Sequence, residues 1–122
     1  MGKRILVVDD EPDIVKVVVF RLKKEGYDVQ VAVDGQQGVE IAKTMNPDLI
    51  LLDITLPKMN GYEVCEHIKI DAALKHIPVI FMTASVSAGS FSERFPATGA
   101  QGYVAKPFDF QELLGQIQKW LN

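Results

Sequence analysis

Short apolar runs alternate with longer segments of helical periodicity along the whole chain. Ile5-Leu6-Val7-Val8 and Leu49-Ile50-Leu51-Leu52 carry no polar interruption, which is the pattern of strands buried on both faces. They predict strands over Arg4–Val8 and Leu49–Asp53. Pro12 suits the first turn of a helix, where its missing N–H costs nothing, and Gly26 suits the stop, so a helix is expected from Pro12 to about Glu25. Within it Val17-Val18-Val19 has weak helix propensity, and its helicity must rest on packing. Residues 27–33 alternate apolar and polar, as an edge strand or one with a wetter face does. Asp34-Gly35 reads as a turn, and the helix after it ends before Pro47, with Gly38, Ile41, Ala42 and Met45 on its inner face. Pro57 to Gly61 is a loop.

Asn60 with Glu63 forms a capping-box start for a helix reaching about Ile70. Residues 78–82 predict a fourth strand, with proline tolerated at its beginning. The stretch 85–99 is the least regular. Ser90 and Glu93 can cap a short helix there, and Pro96 is expected to stop it within two turns. Gly102–Ala105 is a fifth strand. Asp109 and Glu112 open the last helix, whose inner face is Phe110, Leu113, Leu114, Ile117 and Leu121. Strands alternating with helices imply right-handed crossovers and a parallel sheet covered on both faces. The common order for five strands is 2-1-3-4-5. The fold class expected is therefore α/β, a flavodoxin-like three-layer sandwich with a short or irregular fourth helix.

Composition narrows the class. A chain of 122 residues fits one domain over residues 1–122, with no output domain expected in it. Apolar residues make up 48% and charged residues 24%, ordinary for a globular protein and against disorder. The net charge is −3, and no Lys/Arg run exceeds two residues, so direct nucleic-acid binding is not expected. Cys65 is the single cysteine. It excludes an internal disulfide, suits a reducing cytoplasm, and reads as a small buried apolar side chain. No apolar stretch approaches the ~20 residues of a membrane span, and the start of the chain has no signal-peptide pattern.

The candidate chemistry lies at strand ends. Asp9 and Asp10 close the first strand, Asp53 closes the third, Thr83 follows the fourth and Lys106 the fifth. Parallel strands share one carboxyl edge, where open α/β sheets bind ligands. In the order above the first and third strands are neighbours, so Asp9, Asp10 and Asp53 meet. Clustered carboxylates raise one another's pKa unless a cation neutralises them. An all-oxygen site suits Mg²⁺ or Mn²⁺, and no His or Cys lies near for zinc. A carboxylate can act as a nucleophile, and aspartyl-phosphate is one such intermediate. Lys106 and the Thr83 hydroxyl could then serve a phosphoryl group. Taken singly, each residue has a plainer reading: an aspartate after a strand is commonly an N-cap or Asx turn, and a lysine a solvated charge. Their common position at strand carboxyl ends favours the joint reading.

The segments Ile5–Glu11 (Ile5-Leu6-Val7-Val8-Asp9-Asp10-Glu11), Leu51-Leu52-Asp53-Ile54-Thr55-Leu56-Pro57-Lys58-Met59-Asn60-Gly61, Met82-Thr83-Ala84 and Tyr103-Val104-Ala105-Lys106-Pro107-Phe108 together resemble a response-regulator receiver domain, in order and over the whole chain. The resemblance implies that Asp53 is the phosphoacceptor, phosphorylated by a sensor histidine kinase or His-phosphotransfer protein. It implies that Asp9, Asp10, Asp53 and the Thr55 carbonyl hold Mg²⁺, and that Thr83 and Lys106 contact the phosphoryl group. Tyr103 would be the switch aromatic; its plainer reading is a partly exposed strand aromatic. Lys106-Pro107 would be a cis peptide. The signal would pass to a downstream protein or output domain. Such a domain is an enzyme only in Mg²⁺-dependent self-phosphorylation and slow autodephosphorylation. Residues 85–99 depart from the family's regular fourth helix, and Phe91 and Phe95 could still anchor it. Three rivals are weaker. A haloacid-dehalogenase-like phosphatase needs a second Asp where Thr55 stands. A flavodoxin-like cofactor site would be repelled by Asp9-Asp10-Glu11-Pro12. A pseudo-receiver acting only as a binding module would not have every motif position filled.

Overall fold

In the computed structural model, which describes residues 2–84 and 89–121, five strands alternate with five helices. They are β1 (Arg4–Val8), α1 (Pro12–Lys24), β2 (Asp28–Ala32), α2 (Gly35–Met45), β3 (Leu49–Asp53), α3 (Gly61–Ile70), β4 (Val79–Thr83), α4 (Gly89–Thr98), β5 (Gly102–Ala105) and α5 (Phe110–Leu121). The sheet is parallel throughout, in the expected order β2-β1-β3-β4-β5.

The uninterrupted apolar runs divide by alternation, because successive strand side chains point to opposite faces. Ile5, Val7, Leu49, Leu51, Ile80 and Met82 join Val18 and Leu22 of α1 and Leu113 and Ile117 of α5 in one core. Leu6, Val8, Ile50, Leu52, Val79 and Phe81 join Ala42 of α2, Val64 and Ile68 of α3 and Phe91 of α4 in the other. The three central strands are almost wholly without solvent contact. Each large aliphatic side chain removed from water stabilises the fold by roughly 1.5–3 kcal/mol before entropy is counted. The cluster of carboxylates therefore stands on a frame held by two cores.

The helix ends follow their residues. Asn60 and Glu63 form the reciprocal capping box, with N–H···O distances of 3.0 and 3.1 Å. Asp34 is the N-cap of α2, accepting from the Gln37 N–H at 2.8 Å. The Asp34-Gly35 pair thus starts the helix directly instead of forming a separate turn. Asp109 accepts from the Gln111 N–H at 2.7 Å. Gly26 adopts φ +95° after α1, as its stop role requires.

Residues 85–88, within the expected irregular segment, lie outside the described residues, as do the side chains at 89 and 90 and hence the expected Ser90 cap. Beyond them α4 is as long as α3 and continues two residues past Pro96. Pro96 falls in the last turn, so its missing N–H removes a bond only at the frayed end. The Thr98 hydroxyl then closes the helix, donating to the Phe95 carbonyl at 2.7 Å and accepting from the Ala100 N–H at 3.1 Å. Phe91 and Phe95 anchor α4 as expected. Their rings lie 6.1 and 6.3 Å from the fully buried Phe81 ring. Cys65 is buried beside them, donates to the Thr98 carbonyl at 3.4 Å, and burial pushes its thiol up to about 11. Among the described residues no helix is long and apolar enough to cross a membrane.

Two glycines bear opposite loads. A Cβ on Gly61 would lie 2.3 Å from the Asp53 carbonyl oxygen and 2.7 Å from Ile54 Cα, whereas one on Gly115 would meet nothing within 4 Å. Gly61→Ala should therefore destabilise by about 2 kcal/mol or more, through forced backbone movement. Gly115→Ala, at an exposed position of α5, should stabilise by about 0.5–1 kcal/mol through helix propensity. Urea denaturation of the two variants measures both, and equal effects would contradict the packing described.

Candidate functional site

One sheet step beyond the pair Val8↔Leu52 the polypeptide turns acidic. Asp9 and Asp53 extend their strands with the same alternation as Val7 and Leu51, and so stand side by side. Asp9 is completely buried and Asp53 nearly so, at 0% and 5% exposure. Asp10 lies at the exposed rim, and one carboxylate oxygen from each of the three comes within 4.8 Å of the others. The set is all oxygen, partly open and adjacent to solvent, which fits a hard divalent cation that keeps waters.

Lys106 arrives from β5. Its position shares the alternation of Val104, which packs in the α1/α5 core, so the ammonium emerges where Asp9 and Asp53 do. Nζ lies 2.9 Å from Asp9 Oδ2, 2.6 Å from Glu11 Oε1 and 3.3 Å from Asp53 Oδ2. Burial alone would lower the Lys106 pKa. Hydrogen bonds from Glu11 and Asp9 and the charges of Asp53 and Asp9 outweigh it and raise the value above the ordinary lysine range. Asp53 moves the other way from a typical paired aspartate. Its burial raises its pKa, and the Asp9 charge adds to that, against the opposing pull of Lys106 and the Ile54 N–H. The phosphoacceptor candidate is thus a carboxylate held at a cost, next to a firmly charged ammonium.

Thr83 ends β4 and is buried at 2% exposure. Its carbonyl accepts from the Lys106 N–H at 2.7 Å, tying the fourth and fifth strand ends together. The peptide that follows, Lys106-Pro107, is cis. Asp10, Glu11, Asp53, Thr55, Ala84 and Lys106 line a cleft of about 290 Å³ above these side chains. The loop that carries Thr55 is fixed by its own backbone. The Gly61 N–H donates to the Ile54 carbonyl at 2.8 Å, and the Gly35 N–H to the Pro57 carbonyl at 3.3 Å. Close approach at Gly35, where a Cβ would fall 1.9 Å from the Met59 oxygen, admits only glycine.

Every residue expected in the cluster, Asp9, Asp10, Asp53, Thr55, Thr83 and Lys106, lies at this one edge. Tyr103 does not. It occupies the opposite alternation on β5, at 40% exposure, with its ring 5.2 Å from Phe91 and 5.4 Å from Phe95. Glu11 was the residue that pattern reading passed over. The signal available was a third consecutive acidic residue, Asp9-Asp10-Glu11, more than strand termination requires.

The chain is similar to known proteins in sequence and fold. Residues 5–118 match the response regulator receiver domain family. The DNA-binding dual master transcriptional regulator RpaA of Synechocystis sp. is 41% identical over 98% of this chain, and the match takes in 49% of RpaA. The chain thus spans about half the length of the curated relatives it matches. The receiver domain of the sensor histidine kinase PA1611 from Pseudomonas aeruginosa, solved with magnesium coordinated in its active site cleft, superposes with TM-score 0.92 at 34% identity, covering 99% of this chain and 98% of that one. The chemotaxis response regulator CheY4 of Vibrio cholerae gives TM-score 0.91 at 29% identity, over 99% of this chain and all of its own. On sequence and architecture together, the chain belongs to the response regulator receiver domain family of two-component systems.

Proposed function

We propose that this receiver accepts a phosphoryl group on Asp53 from a phosphohistidine and relays the change to a partner. The observation that carries the reading is the Asp53 carboxylate, nearly buried beside the Lys106 ammonium at 3.3 Å and open to a cleft also bordered by Asp10 and Thr55. In the transfer an Asp53 carboxylate oxygen attacks phosphorus. The new P–O bond forms as the P–N bond to the donor imidazole breaks, and the bonding pair leaves with the imidazole nitrogen. Such a transfer needs positioning and charge stabilisation and little else.

Asp9, Asp10 and the Asp53 carboxylate, with the Thr55 carbonyl, are the groups that would hold Mg²⁺ or Mn²⁺, which neutralises charge on the phosphoryl oxygens when bound. Lys106 supplies a fixed positive charge from the other side. The Thr83 hydroxyl, at the adjacent strand end, donates to a phosphoryl oxygen. Because the Thr83 carbonyl and the Lys106 N–H are bonded, movement at either shifts the start of the β5–α5 connection. Tyr103 packs on α4 through Phe91 and Phe95 and is the side chain best placed to report such a shift outward. Thr55 occupies the position where a phosphatase of the aspartyl-phosphate type would carry its general acid, so turnover is slow autodephosphorylation. The donor is a sensor histidine kinase or a His-phosphotransfer protein, and the recipient of the signal an output domain or a separate protein in the cytoplasm. RpaA is named a DNA-binding regulator; any such activity here would belong to a recipient of the signal, in keeping with Lys/Arg runs of no more than two residues in this chain.

Two outcomes are expected. Incubation with a small phosphodonor and Mg²⁺ should yield a single labile phosphoryl adduct by intact-mass measurement. The adduct should vanish with EDTA and in Asp53→Asn; one that survives Asp53→Asn would overturn the assignment. The second concerns stability. Because burial raises the Asp53 pKa, the folded state holds this proton to higher pH than the unfolded state does. Stability therefore falls as pH rises from the ordinary aspartate value through the raised one, and the full cost is present above it. Asp53→Asn should melt a few degrees higher than wild type at pH 7 in EDTA. The difference should shrink on acidification and on addition of Mg²⁺, followed by circular dichroism. A lower melting point for Asp53→Asn would refute it.

A further inference from the structure

We infer that Glu11 is a positioning residue that stands in for the phosphoryl group: its carboxylate holds the Lys106 ammonium in the unphosphorylated protein and must release it when Asp53 is phosphorylated. The inference rests on the function proposed above and assigns a role to a residue outside the expected phosphoryl and metal set.

A lysine ammonium has three N–H donors. Here three carboxylates surround it, Glu11 at 2.6 Å, Asp9 at 2.9 Å and Asp53 at 3.3 Å. Glu11 and Asp9 accept hydrogen bonds from it and Asp53 stands at ion-pair distance, so an ammonium that turns toward a phosphoryl group on Asp53 loosens its hold on one of the other two. The three are not equivalent. The Asp9 side chain has no solvent exposure, so water cannot replace the ammonium there and only another cation could. Asp53 is the site of the new bond. The Glu11 side chain is 54% exposed, so its carboxylate can exchange the ammonium for water at small cost.

The backbone around Glu11 supports the same role. Glu11 is the N-cap of α1, with extended φ −91° and ψ 103°, yet its side chain makes no capping hydrogen bond. Its N–H is taken up by Asp9 Oδ1 at 2.9 Å. The side chain therefore gives the helix nothing that Ser or Asp would give in that place, and is committed across the cleft to a lysine 95 residues away in sequence. Charge adds a second effect. Asp9, Glu11 and Asp53 already surround one ammonium, with the Asp10 carboxylate close to two of them, and phosphorylation adds further negative charge to Asp53. A Glu11 carboxylate that stays on Lys106 opposes that change, and one that swings into solvent yields to it.

Beryllofluoride, an anion that mimics a phosphoryl group on aspartate, tests the inference on the full chain. It is titrated at saturating Mg²⁺ and followed by backbone amide NMR shifts. Glu11→Gln should bind it roughly two- to fivefold more tightly than wild type, the scale of a half-exposed ion pair. In a Lys106→Met background the same substitution should gain less than about twofold, because the two effects share one contact. An equal gain in both backgrounds would mean that Glu11 acts by charge alone, and overturns the inference. So does unchanged or weaker binding by Glu11→Gln. A measurement without the lysine variant is the carboxyl-carbon NMR shift of Glu11 in wild type. It should move on saturation with beryllofluoride as the contact is released, and a fixed shift would count against release. If wild type shows no binding that depends on Asp53, the proposed function fails and the inference with it. Binding by wild type without a Glu11 effect removes the inference alone.

Discussion

The site depends on how a single buried ammonium balances carboxylates that the sheet forces together. Asp9 and Asp53 follow the last paired residues of adjacent parallel strands, so their proximity is fixed by backbone hydrogen bonding and not by choice of rotamer. Two such carboxylates out of water are unfavourable unless paired. Lys106, with 7% side-chain exposure, supplies the pairing, and the two hydrophobic cores keep the groups in place. The compensation is incomplete: the Asp53 pKa is raised despite the lysine. A further positive charge beside Asp53 would offset what the lysine leaves uncompensated.

The same register explains why the cleft is open only above the sheet edge. β3 carries its buried side chains up to Asp53, and the polypeptide after it is held by the Ile54–Gly61 and Pro57–Gly35 backbone bonds. A loop tied this way presents Thr55 at a set height above Asp53. Gly35 and Gly61 are required because neighbouring backbone occupies the space of their Cβ atoms. Apolar packing, loop closure and carboxylate placement are thus one constraint seen at three levels.

Much of this was legible in the sequence because parallel strands buried on both faces leave an unusually clear signature. Ile5 to Val8 and Leu49 to Leu52 have no polar interruption, and the residues just beyond them must lie at the ligand-binding edge. Helix starts at Asn60 and Pro12 were legible because capping and proline rules are local. What was not legible depended on distant partners. The direction of the Glu11 side chain is decided by a lysine on β5, and a glutamate after two aspartates carries no local mark of that. Pro96 pointed to an early stop for α4, but the anchoring of Phe91 and Phe95 on Phe81 and the closing bonds of Thr98 carry the helix through it. Asp34 looked like a turn residue, and only the Gln37 N–H above it shows that it begins a helix.

β5 joins the chemistry to the surface through the period of a strand. Lys106 and Val104 face the α1/α5 side, and Tyr103 faces α4. A displacement of the strand end that begins at Lys106 or at the Thr83 carbonyl bonded to it is therefore felt on both layers at once. On one side it meets carboxylates and on the other the aromatic contacts of Phe91, Phe95 and Tyr103. Those ring contacts are spaced at 5.2 to 5.5 Å and run from the buried Phe91 out to the exposed Tyr103. A deeply buried aromatic such as Phe81 could not serve, since moving it would open a cavity between α3, α4 and the sheet. The division of β5 into a charged face and an aromatic face thus places the carboxylate cluster and an outer aromatic surface on one strand.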